Sequence, residues 1–371
     1  MILLRLFLLP LILLQYQNDI CFAFVRPVIR TRFNSRLPPS LPGQKHQGSG
    51  RQLAPLKSSS VTPSYDDVDD ATRQWDLFQK HHARGSWRGV WTTYDYVGDV
   101  VDSRPAAVVL EPVSSSDPAI INHEHQIQVS SAKSDCETCF DSSEFKRLPV
   151  ASYQKGDLKR NRCASQGLVC GPSLLRSGAV STELVLADGD ERVRVIFQHA
   201  PVWARGIEPN SCPPDGLKLY RAIVSREGLR SDGNVVVEPV PPFTWHAQWS
   251  GTSWTWGPTT GDRGWAISNL EEADAWHGRP TGDSDNVWSL RLAGGVLIQC
   301  PRILYSGEVG ICRLAWVKPS EGRLTRIEGG VAVLEPMEGG EFDDVVGFQP
   351  PRLSSLRCDV FDKVGELEGV S

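Results

Sequence analysis

From Gly85 onward the chain shows almost no helical periodicity; residues alternate in polarity, and Gly-, Pro- and Asp-containing turns punctuate them. That texture admits few folds, chiefly short antiparallel strands closed into barrels or stacked as sandwiches. Residues 86–96 place Trp87, Trp91 and Thr93 on one face of a strand and Arg88, Thr92 and Tyr94 on the other. Residues 183–197 read as a hairpin turning at Asp188-Gly189-Asp190, with Val193, Val195 and Phe197 sharing a face. Strands are further expected at 217–224, 234–240, 287–292, 295–299, 310–317 and 323–334, the last two joined by a Lys318-Pro-Ser-Glu-Gly322 turn.

One helix precedes the strands. Asp66, Asp67, Asp69 and Asp70 crowd its start, and Lys80, His81, His82 and Arg84 crowd its end, the order that the helix dipole favours. Val68, Ala71, Trp75 and Phe78 form one apolar stripe, and Gly85 is a natural stop. Two stretches read as loops: 114–175, polar and Ser-rich, and 337–351, acidic and Gly-rich. A composition change near Val240-Pro241-Pro242 divides the rest. The expected architecture is mainly β: two antiparallel barrels preceded by one short helix. A first barrel spans 61–237 with 114–175 inserted, a Trp-rich second barrel spans 238–336, and an acidic C-terminal segment spans 337–371.

The first 60 residues stand apart. Residues 1–23 have Arg5, an apolar run at 6–14 and a small residue, Ala23, before a cleavage point, the pattern of a signal peptide. The run is too short to cross a bilayer, so no integral membrane segment is expected in the mature protein. Residues 24–60 carry seven Lys/Arg, no Asp or Glu, and many Ser and Pro, which is transit-peptide composition. The junction Phe22-Ala23-Phe24-Val25 resembles the two-part presequence of proteins imported into secondary plastids. It therefore predicts delivery to the plastid stroma with cleavage near Ala23/Phe24. The bland alternative is a secreted protein with a basic pro-segment. Residues 1–60 hold eight basic residues and one acid, so a whole-chain charge of −5 leaves −12 for the remainder. Such an acidic body is a poor match for nucleic acid. The eight Cys beyond residue 23 are scattered and no Asn-x-Ser/Thr sequon occurs, unlike a secreted disulfide scaffold.

Chemistry-bearing candidates are few. Cys136 and Cys139 form a C-x-x-C pair that could serve as a regulatory dithiol. With Cys163 and Cys170 they could also supply four thiolates, but the spacing of the second pair fits zinc poorly. Unpartnered loop cysteines are the simpler reading. His123-Glu-His125 puts two imidazoles on one strand face, as a metal pair would need; lacking a third ligand, the pair is expected at the surface. Eight Trp lie between Trp245 and Trp316, either core or the wall of a cavity for a pigment or lipid, with core preferred. No nucleophile elbow, P-loop, dinucleotide fingerprint or zinc-protease motif occurs. No catalytic residue, cofactor or metal is therefore assigned.

Gly85-Ser86-Trp87 after a short helix resembles the start of the calycin barrels, where that Trp plugs the closed end and an Arg packs over it. Trp75-x-x-Phe78, the 85–94 strand with Trp91, the 183–197 hairpin and 217–228 resemble the first barrel of the DUF3598 lipocalin-like family. Residues 288–301, 314–316 and 323–327 resemble the second. The resemblance implies two calycin-like barrels in which Gly85, Trp87 and Trp91 are structural. A plastid member of the family helps assemble the ATP synthase catalytic headpiece. The resemblance therefore implies a non-catalytic scaffold with ATP synthase headpiece subunits as partners. A calycin-type carrier or lyase for a tetrapyrrole, carotenoid or lipid is the alternative.

Overall fold

The computed structural model describes residues 70–114, 117–128, 145–156, 158, 161–175, 177–203, 214–229, 247–258, 265–273, 285–333 and 351–365. The presequence, Cys136 and Cys139, the expected strand at 234–240, the Val240-Pro241-Pro242 junction, Trp245, Trp276 and the acidic 337–350 stretch lie outside these residues.

The helix is present as α1 (Asp70–His81), acidic at its start and basic at its end, burying Gln74, Trp75 and Phe78. All else is strand, and every described pairing is antiparallel. The first sheet contains β1 (Gly85–Asp95), β2 (Val100–Ser114), β3 (Asp117–Gln128), β4 (Phe145–Gln154), β5 (Asn161–Cys163), β6 (Gly167–Leu174), β7 (Val180–Asp188), β8 (Glu191–Val202) and β9 (Gly216–Gly228). Their spatial order is β4-β3-β2-β1-β9-β8-β7-β6-β5. The second sheet contains β10 (Gln248–Pro258), β11 (Trp265–Ala273), β12 (Val287–Leu292), β13 (Val296–Pro301), β15 (Val309–Lys318), β16 (Arg323–Ala332) and β17 (Arg352–Gly365), ordered β11-β10-β17-β16-β15-β13-β12. The short β14 (Ile303–Tyr305) leaves that sheet to pair with β9 of the first. Both sheets curl into half-barrels.

Two segments differ from the sequence reading. The stretch 114–175 is not a loop but supplies β3 to β6. Its pattern reads as polar because β3 turns polar side chains both outward (Asn122, Glu124) and inward (His123, His125). The C-terminal segment likewise supplies β17, which sits between β10 and β16 near the middle of the second sheet.

Three apolar clusters organise the packing. One lies inside the first half-barrel, where α1 lays Trp75 and Phe78 beside Trp87, Trp91 and Ile121. A second lies between the sheets and joins Leu184, Phe197 and Val224 to Trp288, Leu314, Trp316 and Ile327. The third lines the other face of the second sheet with Trp249, Leu297, Leu324 and Phe361. Strands β7 to β9 are therefore covered on both faces: Leu184 and Leu186 meet the second sheet while Val185 faces the half-barrel interior. This is why so few of their side chains are exposed, the charged ones on the interior face included.

Each half-barrel begins with the same device, a Trp followed two residues later by Gly. A Cβ on Gly89 would stand 2.0 Å from the Arg226 carbonyl oxygen, and one on Gly251 2.0 Å from that of Val360. Only glycine lets the neighbouring strand come so close.

Candidate functional site

The interior of the first half-barrel holds most of the buried ionisable side chains of that sheet. Its geometry starts from Gly85, whose positive φ of 110° turns the chain out of α1 into β1. Trp87 then points inward, 0% exposed, and donates its indole N–H to the His82 carbonyl at 2.9 Å, tying the strand to the end of the helix. Trp91 lies two pleat repeats further on the same face and donates to Glu227 Oε1 at 3.0 Å.

Alternation along β8 turns Arg192 and Arg194 into the same interior, while Val193 and Val195 face the second sheet. Arg192 lies over the Trp87 ring, 4.5 Å from its centroid, and Arg194 over Trp91 at 4.7 Å. Arg192 is thus the arginine that covers Trp87. Arg192 Nε pairs with Glu227 Oε2 at 2.5 Å and Arg194 Nε with Glu183 Oε1 at 2.5 Å. Arg194 Nη1 also lies 3.7 Å from Glu227 Oε1, which accepts from Ser225 Oγ at 2.7 Å. Two guanidiniums and two carboxylates balance. Burial alone would push the Glu227 carboxyl up, but the two guanidiniums and its hydrogen bonds more than offset this, so it titrates below its ordinary value.

The two imidazoles expected at the surface are instead buried on this interior face, His123 7% and His125 1% exposed. Their Nε2 atoms lie 3.0 Å apart, and His123 Nδ1 meets the Tyr153 hydroxyl at 3.1 Å. His125 stacks edge-on against Trp91, centroid to centroid 4.9 Å. Burial first, then the positive charge of Arg194 and Arg192 (for His125, the neighbouring His123 before them), pushes both imidazoles well below the ordinary histidine range, so both are neutral near pH 7. Burial pushes the Tyr153 phenol well up. Cys163 and Cys170 line the same cluster, and burial raises both thiols, which are protonated at neutral pH. Among the described residues no group of three or more His, Cys, Asp or Glu is arranged to hold a metal ion.

Chemically the arrangement is a phenol–imidazole–imidazole hydrogen-bonded chain beside a closed set of ion pairs. Both carboxylates are clamped by guanidiniums, so neither is poised as a general base. His125 Nδ1, Arg192 Nη2 and Arg194 Nη2 have no hydrogen-bond partner among the described residues. The signal for these residues is present but weak: charged positions on β7, β8 and β9 fall in phase with the inward face of β1, which register alone reveals.

A cleft of about 190 Å³ lies elsewhere, where β13 and β15 part, lined among others by Val287, Gln299, Ile303, Tyr305, Val309 and Ile311. Of the Trp-rich region, Trp249, Trp288 and Trp316 are buried in cores, whereas Trp254, Trp256 and Trp265 are half-buried.

Residues 71–201, from α1 through most of β8, match the family model of the N-terminal domain of DUF3598, a domain of unknown function. A solved structure of a DUF3598 protein of unknown function from Nostoc punctiforme is similar at a TM-score of 0.49 and 14% identity, covering 78% of this chain and 99% of that one. No curated protein matches the chain.

Proposed function

With residues 71–201 matching the DUF3598 N-terminal domain, we propose that the mature protein is a non-catalytic plastid scaffold that binds protein subunits, its client being the catalytic headpiece of the ATP synthase. The observation that carries this reading is the interior of the first half-barrel. Trp87 and Trp91 under Arg192 and Arg194, with both carboxylates paired, occupy the space where a carrier would hold its ligand. The plastid address rests on residues 1–60 and the client on the resemblance to the family's plastid member. An acidic body suits basic protein surfaces as partners.

The carrier reading stands second. The cleft of about 190 Å³ is smaller than the roughly 300–1,000 Å³ that drug-sized ligands occupy, and a tetrapyrrole or carotenoid is no smaller. Affinity purification from plastid extract, read by mass spectrometry, tests the scaffold. Headpiece subunits enriched over a control bait support it. A pigment-bearing protein with no enriched subunit would turn the reading to the carrier.

A further inference from the structure

The cleft between β13 and β15 has the makings of a peptide site. Pairing of β13 with β15 runs from Val296↔Trp316 to Gln299↔Arg313 and stops there. Pro301, two residues on, has no N–H to continue the ladder. Its carbonyl is turned to the first sheet, 3.0 Å from His199 Nε2. The chain then departs along β14, held there by the Asn286 carboxamide, which accepts from Ile303 N at 2.8 Å and donates to Ile303 O at 2.9 Å. Strand β15 does not stop with its partner: it stays paired with β16 as far as Val309↔Ala332. Among the described pairings Val309 to Cys312 therefore have a neighbour strand on one side only.

The direction of that open edge follows from the ladder. Val317 donates its N–H to Gly295 O on the β13 side at 2.8 Å. Antiparallel residues alternate between neighbours, so Ala315, Arg313, Ile311 and Val309 turn the same way. Ile311 and Val309 thus present backbone N–H and C=O towards the space β13 has left, and both residues line the cleft. Gln299 forms part of the same wall. It is 2% exposed, and its side-chain oxygen has no hydrogen-bond partner; its amide only grazes Ser289 Oγ at 3.4 Å. A buried carboxamide oxygen left unpaired is costly, and a donor entering the cleft would recover that cost.

We propose that this cleft takes an extended segment of a partner polypeptide, which adds as a short strand beside Val309–Cys312 in the place β13 vacates. A backbone N–H of that segment reaches Gln299 Oε1, and one small apolar side chain settles among Ile303, Tyr305 and Ile311. Backbone donors and acceptors at strand spacing recognise a peptide chain rather than a small molecule. The volume accommodates a residue or two of that segment, not a cofactor, and the rest runs outward past the exposed Val309 and Tyr305. The proposal deepens the scaffold reading by naming how a client is held, yet its test needs no ATP synthase subunit.

The test uses the purified protein and the blocked peptide acetyl-Val-Thr-Val-Thr-Val-amide, followed by NMR shifts of the Val309–Cys312 amides and the Gln299 side chain. Saturable shifts confined to these groups are expected, with affinity at least tenfold weaker for Gln299→Leu and for peptide N-methylated along its backbone. Val309→Lys, at a position 54% exposed, leaves folding intact and should weaken binding similarly. No shifts at millimolar peptide, shifts elsewhere, or affinity indifferent to both variants and to N-methylation would overturn it. Failure here leaves a scaffold that holds its client by another surface. Unchanged headpiece assembly without the protein would instead remove the client and leave the cleft.

Discussion

At the scale of residues, Glu227 holds Arg192, Trp91 and Ser225 together in the half-barrel interior. Glu227→Gln keeps the shape and removes the charge, leaving Arg192 uncompensated. It should cost about 3–5 kcal/mol, the range for breaking a buried pair, read as a lowered midpoint in denaturant unfolding. The buried imidazoles set the pH response. His82 is pushed down to about 3 and His199 to about 4, both chiefly by burial, and His123 and His125 well below their ordinary value. All four therefore bind protons in the unfolded chain, below about pH 6.5, before they do so in the folded one. Stability should fall as pH drops from about 6.5 towards 4, by up to about 1.4 kcal/mol per pH unit for each ring, measurable by urea titration across that window. Trp87 and Trp91 were legible from Gly85-x-Trp and alternation. Arg192, Arg194, His123 and His125 were not. Alternation says that two side chains share a face, but not that a face bearing charge or imidazole turns inward, which depends on partners far along the chain.

At the scale of elements, the strands that keep at least one regularly apolar face were readable. The 183–197 hairpin, β9, β12, β13, β15 and β16 all appear where alternation and turns placed them. Strands β3 and β4 were hidden because polar residues occupy both faces of β3. Strand β17 was hidden by irregular spacing: a register shift opposite Gly330/Val331 brings both Leu353 and Leu356 to the central core. The tight approach of β1 to β9 makes a sharp prediction. Gly89→Ala would set a methyl against the Arg226 carbonyl and should cost on the order of 1–3 kcal/mol, as overpacking does. Thermal unfolding of that variant, compared with Gly257→Ala, where a Cβ meets nothing within 4 Å, measures the contact rather than loss of glycine alone.

At the scale of the molecule, the two half-barrels share one core. Leu314 of the second sheet is 0% exposed and packs in the cluster that also holds Leu184, Phe197 and Val224 of the first. Leu314→Ala should therefore cost about 2–5 kcal/mol and lower the unfolding of both sheets together, in one transition by circular dichroism and Trp fluorescence. Two separate transitions with only one displaced would show independent barrels. A shared core and an interior filled by its own side chains leave the outer faces and edges for partners, as a scaffold needs. The most direct test is the amount of assembled ATP synthase headpiece in cells lacking the protein. The account predicts a marked loss of assembled headpiece while its subunits are still synthesised; headpiece at normal levels would contradict it.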